Sequence, residues 1–243
     1  MRIPIVRGLI DRRVLVNFRI DPDVMARVLP PPFRPQVVGS FGIGGICLIR
    51  LKHLRPRFLP GVVGIASENA AHRFAVEWDG AGGRVERGVY IPRRDSSSWF
   101  NVLTGGRLFP GMHHHARFDV EERHDAYRIA IDSDDRQTHL ALSGRIADVL
   151  PADSAFGTLE RASEFFEKGS LGYSATARSG RFDGLELRSF TWSMTPLAVD
   201  RVESSFFADR TKFPAESIEF DSALLMRGIE HEWHGRQMLC CSA

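Results

Sequence analysis

The chain has 243 residues, of which 43% are hydrophobic and 26% charged, with a formal net charge of +2 and a pI near 8.6. These proportions exclude a disordered chain, and so mild a charge, with arginines spread along the chain, excludes the clustered basic face of a nucleic-acid-binding protein. No stretch approaches the roughly 20 apolar residues that span a bilayer, and the opening Met1-Arg2-Ile3-Pro4 lacks the apolar run of a signal peptide.

Three cysteines, Cys47, Cys240 and Cys241, give no even disulfide framework and fit a reducing compartment, so the expectation is a cytoplasmic protein with no membrane partner. With no linker, repeat or break in composition, residues 1–243 are expected to form one domain.

Residues 14–20 alternate as a strand, and Asp21-Pro22-Asp23 then supplies an N-cap with proline at the first helical position. Val24, Met25, Val28 and Leu29 form the apolar stripe of a short helix that Pro30-Pro31-Pro32 ends. Residues 41–51 are Gly-rich and apolar, as in a buried strand whose glycines allow close backbone approach. The run Gly42-Ile43-Gly44-Gly45 has the wrong spacing for a nucleotide loop, and no helix pattern follows it.

From residue 68 the period becomes two: Glu68, Ala70, His72, Phe74, Val76 and Trp78 share one face, while Arg73 and Glu77 take the other. Asp79-Gly80-Ala81-Gly82-Gly83 is a turn, and residues 87–91 return as a strand. Ser97 or Ser98 caps a short helix over residues 99–103, closed by Gly105-Gly106. Along residues 113–121, His114, Ala116, Phe118 and Val120 fall on one face and His115, Arg117, Asp119 and Glu121 on the other.

Strands over 127–131 and 138–146 flank a turn at 132–135, making a meander. Residues 158–168 form an amphipathic helix with Leu159, Ala162, Phe165 and Phe166 inward and Gly169 after its end. Strands at 170–178 and 185–194 continue the hairpin logic. Many strands, few helices and hairpin turns imply a mainly β (α+β) protein whose antiparallel sheet closes into a barrel.

Several of these segments, in this order, resemble acetoacetate decarboxylase-like proteins. The opening from Val16 to Asp23 with Leu29-Pro30-Pro31-Pro32-Phe33 resembles their first strand, helix and proline stop. Ser67-Glu68-Asn69 is similar to the strand that carries their pocket glutamate, and Thr104-Gly105-Gly106-Arg107 to the Gly-Arg helix before their catalytic strand. Phe165-Phe166-Glu167, Tyr173, Trp192, Pro196-Leu197 and the run from Phe220 to Met226 resemble the YqjF-like bacterial branch, a domain-of-unknown-function group.

The resemblance implies a closed β-barrel, an enclosed small-molecule pocket, a homo-oligomer and no cofactor. It also implies that the decarboxylase lysine pair, counted without a gap from Gly106-Arg107, falls on His114 and His115. Imidazole has no primary amine and cannot form the imine that serves as electron sink. The only lysines are Lys52, Lys168 and Lys212, and nothing in their spacing directs them to a pocket.

The alternation places Glu68 and His114 on apolar faces, where a desolvated carboxyl and imidazole suit acid–base work on a carbonyl compound. A satisfied polar pair within the core is the competing account. Arg12 or Arg13 matches the family's carboxylate-binding arginine, and His72, Arg107, His115, Tyr173 and Trp192 complete the expected substrate-binding set.

No metal is expected: alternate residues of His113-His114-His115 point to opposite faces, and His231-Glu232-Trp233-His234 with Cys240-Cys241 lacks a Cys-x-x-Cys knuckle and reads as tail ornament. No Gly-x-Ser-x-Gly elbow supports a hydrolase. Two functions remain open, an enzyme acting on a keto acid or related carbonyl compound without an imine, and a non-catalytic binder of an organic acid on the same barrel.

Overall fold

The computed structural model of the chain describes residues 4–60, 64–106 and 110–240. In chain order its elements are β1 (Val6–Ile20), α1 (Pro22–Val28), β2 (Arg34–Pro35), β3 (Val37–Val38), β4 (Phe41–Pro56), β5 (Ile65–Asp79), β6 (Val85–Ser96), α2 (Trp99–Thr104), β7 (His113–Arg123), β8 (Ala126–Ser133), β9 (His139–Ile146), α3 (Leu159–Lys168), β10 (Leu171–Ala175), β11 (Arg181–Ser189), β12 (Thr195–Ser204) and β13 (Ile218–Cys240). No described helix is long and apolar enough to cross a membrane.

Local chemistry explains the helix boundaries. The Asp21 carboxylate accepts from the amides of Asp23 and Val24 at 2.8 and 3.1 Å, satisfying donors that α1 cannot pair internally. Ser98 caps α2 and Thr158 caps α3 in the same way. Gly45 lies where a Cβ would sit 2.2 Å from the Val16 carbonyl oxygen, so only glycine lets β4 approach β1 this closely.

The sheet is mixed and returns on itself twice. One ring runs β6-β7-β8-β9-β12-β13-β1-β4-β5 and back to β6, and a second leaves β6 through β10 and β11 to reach β13. Most ladders are antiparallel, but β6 pairs in parallel with both β7 and β10. The expected barrel was antiparallel; β6 departs from it by pairing in parallel with β7, which follows α2, and with β10, which follows α3.

Strands β1, β4 and β5 therefore separate two interiors, and successive side chains pack into opposite cores. Val14, Val16, Ile46, Leu48, Ala70 and Phe74 enter one core with Tyr127, Ile129 and Phe207. Leu15, Cys47 and Ala75 enter the other with Phe156, Phe166 and Leu224. Each large apolar side chain so buried contributes about 1.5–3 kcal/mol.

Two expected boundaries shift. The hairpin after α3 turns earlier, because the Thr176 hydroxyl bonds the Arg178 and Arg181 carbonyls and lets Arg181–Ser189 pair as β11 with Phe182 buried. The expected tail ornament is instead the longest strand, β13, which pairs with both β1 and β11 and buries His231 completely.

Candidate functional site

Inside the ring that includes β10 and β11 lies a cavity of two adjoining hollows, which share Cys47, Ile49, Ala71, Arg94, Leu185 and Trp233. Asn69, Asn101, Pro110 and His113 line the first; Arg13, Arg73, Ser170, Phe166 and Trp192 line the second. Seven paired strands supply most of these side chains, α2 contributes Asn101 and α3 Phe166, and Pro110, Ser170 and Trp192 lie between elements. Paired strands thus aim Arg13, Arg73, Arg94 and His113.

Three guanidiniums face this space, and among the described residues none of them meets a carboxylate at ion-pair distance. Arg13 donates only to sulfur, from Nε to Cys47 Sγ at 3.3 Å and from Nη1 to Met226 Sδ at 4.0 Å. Arg94 donates to the Ser174 hydroxyl at 3.1 and 2.9 Å.

Arg73 is the extreme case. It is 4% exposed, bonds Asn17 Oδ1 through Nη2 and stacks over the Phe166 ring at 4.8 Å, while Nε and Nη1 have no partner. Burial without an adjacent acid pushes Arg73 down to about 10, and burial does the same to Arg94. Poorly solvated cations of this kind gain most from an incoming anion, because a carboxylate restores both charge balance and hydrogen bonds.

His113 sits on the wall beside Arg94, its strand neighbour across the β6–β7 ladder. Burial, reinforced by Arg94, pushes its imidazole down to about 3, so the ring is neutral. Nδ1 lies 3.3 Å from the Gly111 carbonyl oxygen, which can only accept; the proton is therefore on Nδ1, and Nε2 keeps its lone pair. Asn101 is buried in the same hollow with Oδ1 unpartnered, an acceptor for a hydroxyl. Asp95 also borders this hollow, but Arg93 holds its carboxylate at 2.7 Å.

Glu68 and His114, expected as an acid–base pair, are not brought together: each bonds other partners. Glu68 has both oxygens engaged, with Arg12 Nη2 at 2.6 Å and Arg50 Nε at 2.5 Å. Arg12 also binds Glu122 at 2.6 Å, and Arg227 binds the other oxygen of Glu122 at 2.8 Å. Against the penalty of burial, the bonds from Arg12 and Arg227 hold the Glu122 carboxyl below its ordinary value. Arg12 and Glu68 thus belong to a closed ion network outside the cavity.

His114 does not line the cavity; it is 36% exposed, with Nδ1 at 3.2 Å from Asp135. His115 binds Asp134 at 2.8 Å and stacks on Trp99 at 4.1 Å. His72 is fully buried against Phe206, and burial pushes it down to about 3. Tyr173 packs on Phe33 and Trp78 and reaches the Gln237 carbonyl, away from the cavity. Arg13 and Trp192 do line the cavity, Trp192 donating to Ser163 Oγ at 2.9 Å. Arg107 lies outside the described residues.

One cause accounts for most of these displacements: both faces of the central strands are buried, and a step of one residue exchanges the faces. Arg73 and His113 neighbour the expected His72 and His114. The signal was an arginine on a strand whose other face is apolar, with no acid in register with it. Cys47 carried no such signal.

Solved structures share this architecture. An acetoacetate decarboxylase from Legionella pneumophila subsp. pneumophila str. Philadelphia 1 superposes with a TM-score of 0.59 at 12% identity, over 98% of this chain and 87% of its own. An acetoacetate decarboxylase-like enzyme from Sphingomonas wittichii RW1 gives 0.59 at 9% identity, over 100% and 95%. The enduracididine biosynthesis enzyme MppR, complexed with pyruvate, gives 0.56 at 11% identity, over 100% and 91%.

The mixed sheet therefore has the acetoacetate decarboxylase-like fold. Residues 10–225 match the model of DUF2071, described as an uncharacterized conserved protein (COG2071), and the chain belongs to that family. No curated protein matches it in sequence.

Proposed function

We propose that this protein is a small-molecule pocket protein that takes a small organic acid bearing a carbonyl or hydroxyl group into the arginine-lined cavity, without forming an imine. The observation that carries this reading is Arg73, a buried guanidinium whose Nε and Nη1 are unpartnered and which has no acid beside it. Arg13 and Arg94 add positive charge to the same space, and Asn101 Oδ1 offers an acceptor for a hydroxyl. That a fold neighbour is complexed with pyruvate supports the ligand class.

Thermal unfolding with pyruvate, lactate and the uncharged lactamide tests the reading, since a ligand of the folded state stabilises by about 2.7 kcal/mol at a hundred times its Kd. The two acids raise the transition temperature and lactamide does not; equal responses to lactate and lactamide would refute a carboxylate site. The free Nε2 of His113 favours acid–base turnover of the bound acid over silent binding. On that reading His113→Gln abolishes turnover of a keto acid while pyruvate still stabilises the fold; absence of turnover by the unaltered protein across a carbonyl panel leaves the binder alone.

The same reading places the protein in the cytoplasm as a one-domain homo-oligomer. Exposed Trp99, Phe100 and Leu103 on α2 supply apolar surface for association. Light scattering that returns a monomer at all concentrations would contradict this.

A further inference from the structure

The junction of the two hollows holds a group that anion binding leaves unused. Cys47 is a free thiol, 9% exposed, and it borders both hollows. Its sulfur accepts a hydrogen bond from Arg13 Nε at 3.3 Å, and Arg73 and Arg94 line the same cavity. The thiolate is the nucleophilic form of a cysteine, and a guanidinium donor at the sulfur is a partner suited to it. The unpartnered Nε and Nη1 of Arg73, 4% exposed in the same hollow, point independently to an anionic ligand beside that sulfur.

We propose that Cys47 is the nucleophile of this cavity, adding reversibly to the carbonyl carbon of a 2-oxo acid whose carboxylate rests on Arg13 and Arg73. The proposal rests on the carboxylate site described above and names its ligand more narrowly. In a 2-oxo acid the carbonyl carbon is bonded directly to the carboxylate carbon. A carboxylate seated on the guanidinium that already touches the sulfur therefore presents its carbonyl to that sulfur. A 3-oxo acid carries its carbonyl one carbon further away, and a 2-hydroxy acid has no electrophilic carbon.

In the addition a C–S bond forms while the carbonyl π bond breaks, and the thiol proton ends on the former carbonyl oxygen. The product is a thiohemiketal; nothing leaves, and no oxidant, reductant or co-reactant is consumed. The unprotonated Nε2 of His113, on the wall of the same cavity, is the group suited to relay that proton. A thiol thus takes the covalent role for which the cavity has no amine.

The test uses the full chain saturated with pyruvate labelled at its keto carbon, observed by carbon NMR. The free hydrate, measured in buffer, is subtracted. The expected result is a protein-bound tetrahedral carbon signal, absent from both Cys47→Ser and Cys47→Ala, whose folding is checked by thermal unfolding. Pyruvate also slows alkylation of Cys47 by iodoacetamide at least tenfold, read by peptide mapping so that Cys240 does not interfere, whereas lactate slows it less.

Bound pyruvate that keeps a trigonal carbonyl carbon would overturn the nucleophile while leaving the carboxylate site intact. A tetrahedral signal that survives in both variants would overturn it too. Failure of both pyruvate and lactate to bind the unaltered protein would overturn this proposal and the carboxylate site together.

Discussion

Replacing Arg73 with methionine removes a buried cation and keeps an unbranched chain that can fill its place. The guanidinium leaves Nε and Nη1 without partners, and each such buried donor costs about 1–3 kcal/mol, so their removal relieves about 2–6 kcal/mol. Against this, Asn17 Oδ1 loses its donor, at about 1–3 kcal/mol, and the stack over Phe166 at 4.8 Å is lost, at about 0.5–2 kcal/mol. The balance favours the variant by about 1 kcal/mol, a rise of about 2–4 °C in Tm for a chain of this length. Thermal unfolding with and without pyruvate reads both halves of the prediction: the variant melts higher alone and no longer responds to pyruvate. A variant destabilised by more than about 2 kcal/mol, or one that still responds, would show that Arg73 holds the fold rather than a ligand.

Histidines shape the acid response. Burial holds His72, His113 and His231 neutral, at about 3, about 3 and about 4 against an ordinary 6.5. Below pH 6.5 the unfolded chain binds up to three protons that the folded chain refuses, so stability falls as pH drops toward 4, by at most about 4 kcal/mol per pH unit. Urea midpoints measured over that window show the slope, and a flat profile would contradict the burial of neutral imidazoles. Borohydride with pyruvate leaves no lysine adduct, because Lys52, Lys168 and Lys212 pair with Asp11, Glu164 and Asp209 and none borders the cavity; mass spectrometry showing a reduced lysine adduct would return imine chemistry. Glu68→Gln lowers stability by about 1–3 kcal/mol, since Arg12 and Arg50 lose a charged partner, and leaves the pyruvate response unchanged; loss of that response would place Glu68 in the site after all.

Much of this was legible in the sequence wherever local chemistry decides structure. Asp21-Pro22 at the start of α1, Gly169 at the end of α3, and the face shared by Ala70, Phe74 and Val76 follow from capping and alternation. The site was harder to read because alternation sorts residues into two faces without saying which face encloses a cavity. An apolar face containing Glu68 and His72 looked like the wall of a pocket, whereas Ala70, Phe74 and Val76 on it enter a packed core, and the arginine-lined cavity lies behind it with Arg73 and Ala71.

A count from Gly106 carried the same one-residue ambiguity onto His114, and only the β6–β7 register brings His113 beside Arg94. The length of β13 depends on pairing with both β1 and β11, contacts too distant in sequence for any local pattern to announce.

The most direct test of the central claim is a crystal of the full chain soaked with pyruvate or lactate. The account predicts the carboxylate within hydrogen-bond reach of Arg73 Nε or Nη1 and of Arg13, in the hollow bounded by Cys47 and Trp192. An acid seated instead on the Arg12–Glu68–Glu122 network or beside His114, with the arginine-lined hollow empty at saturating concentration, would contradict it.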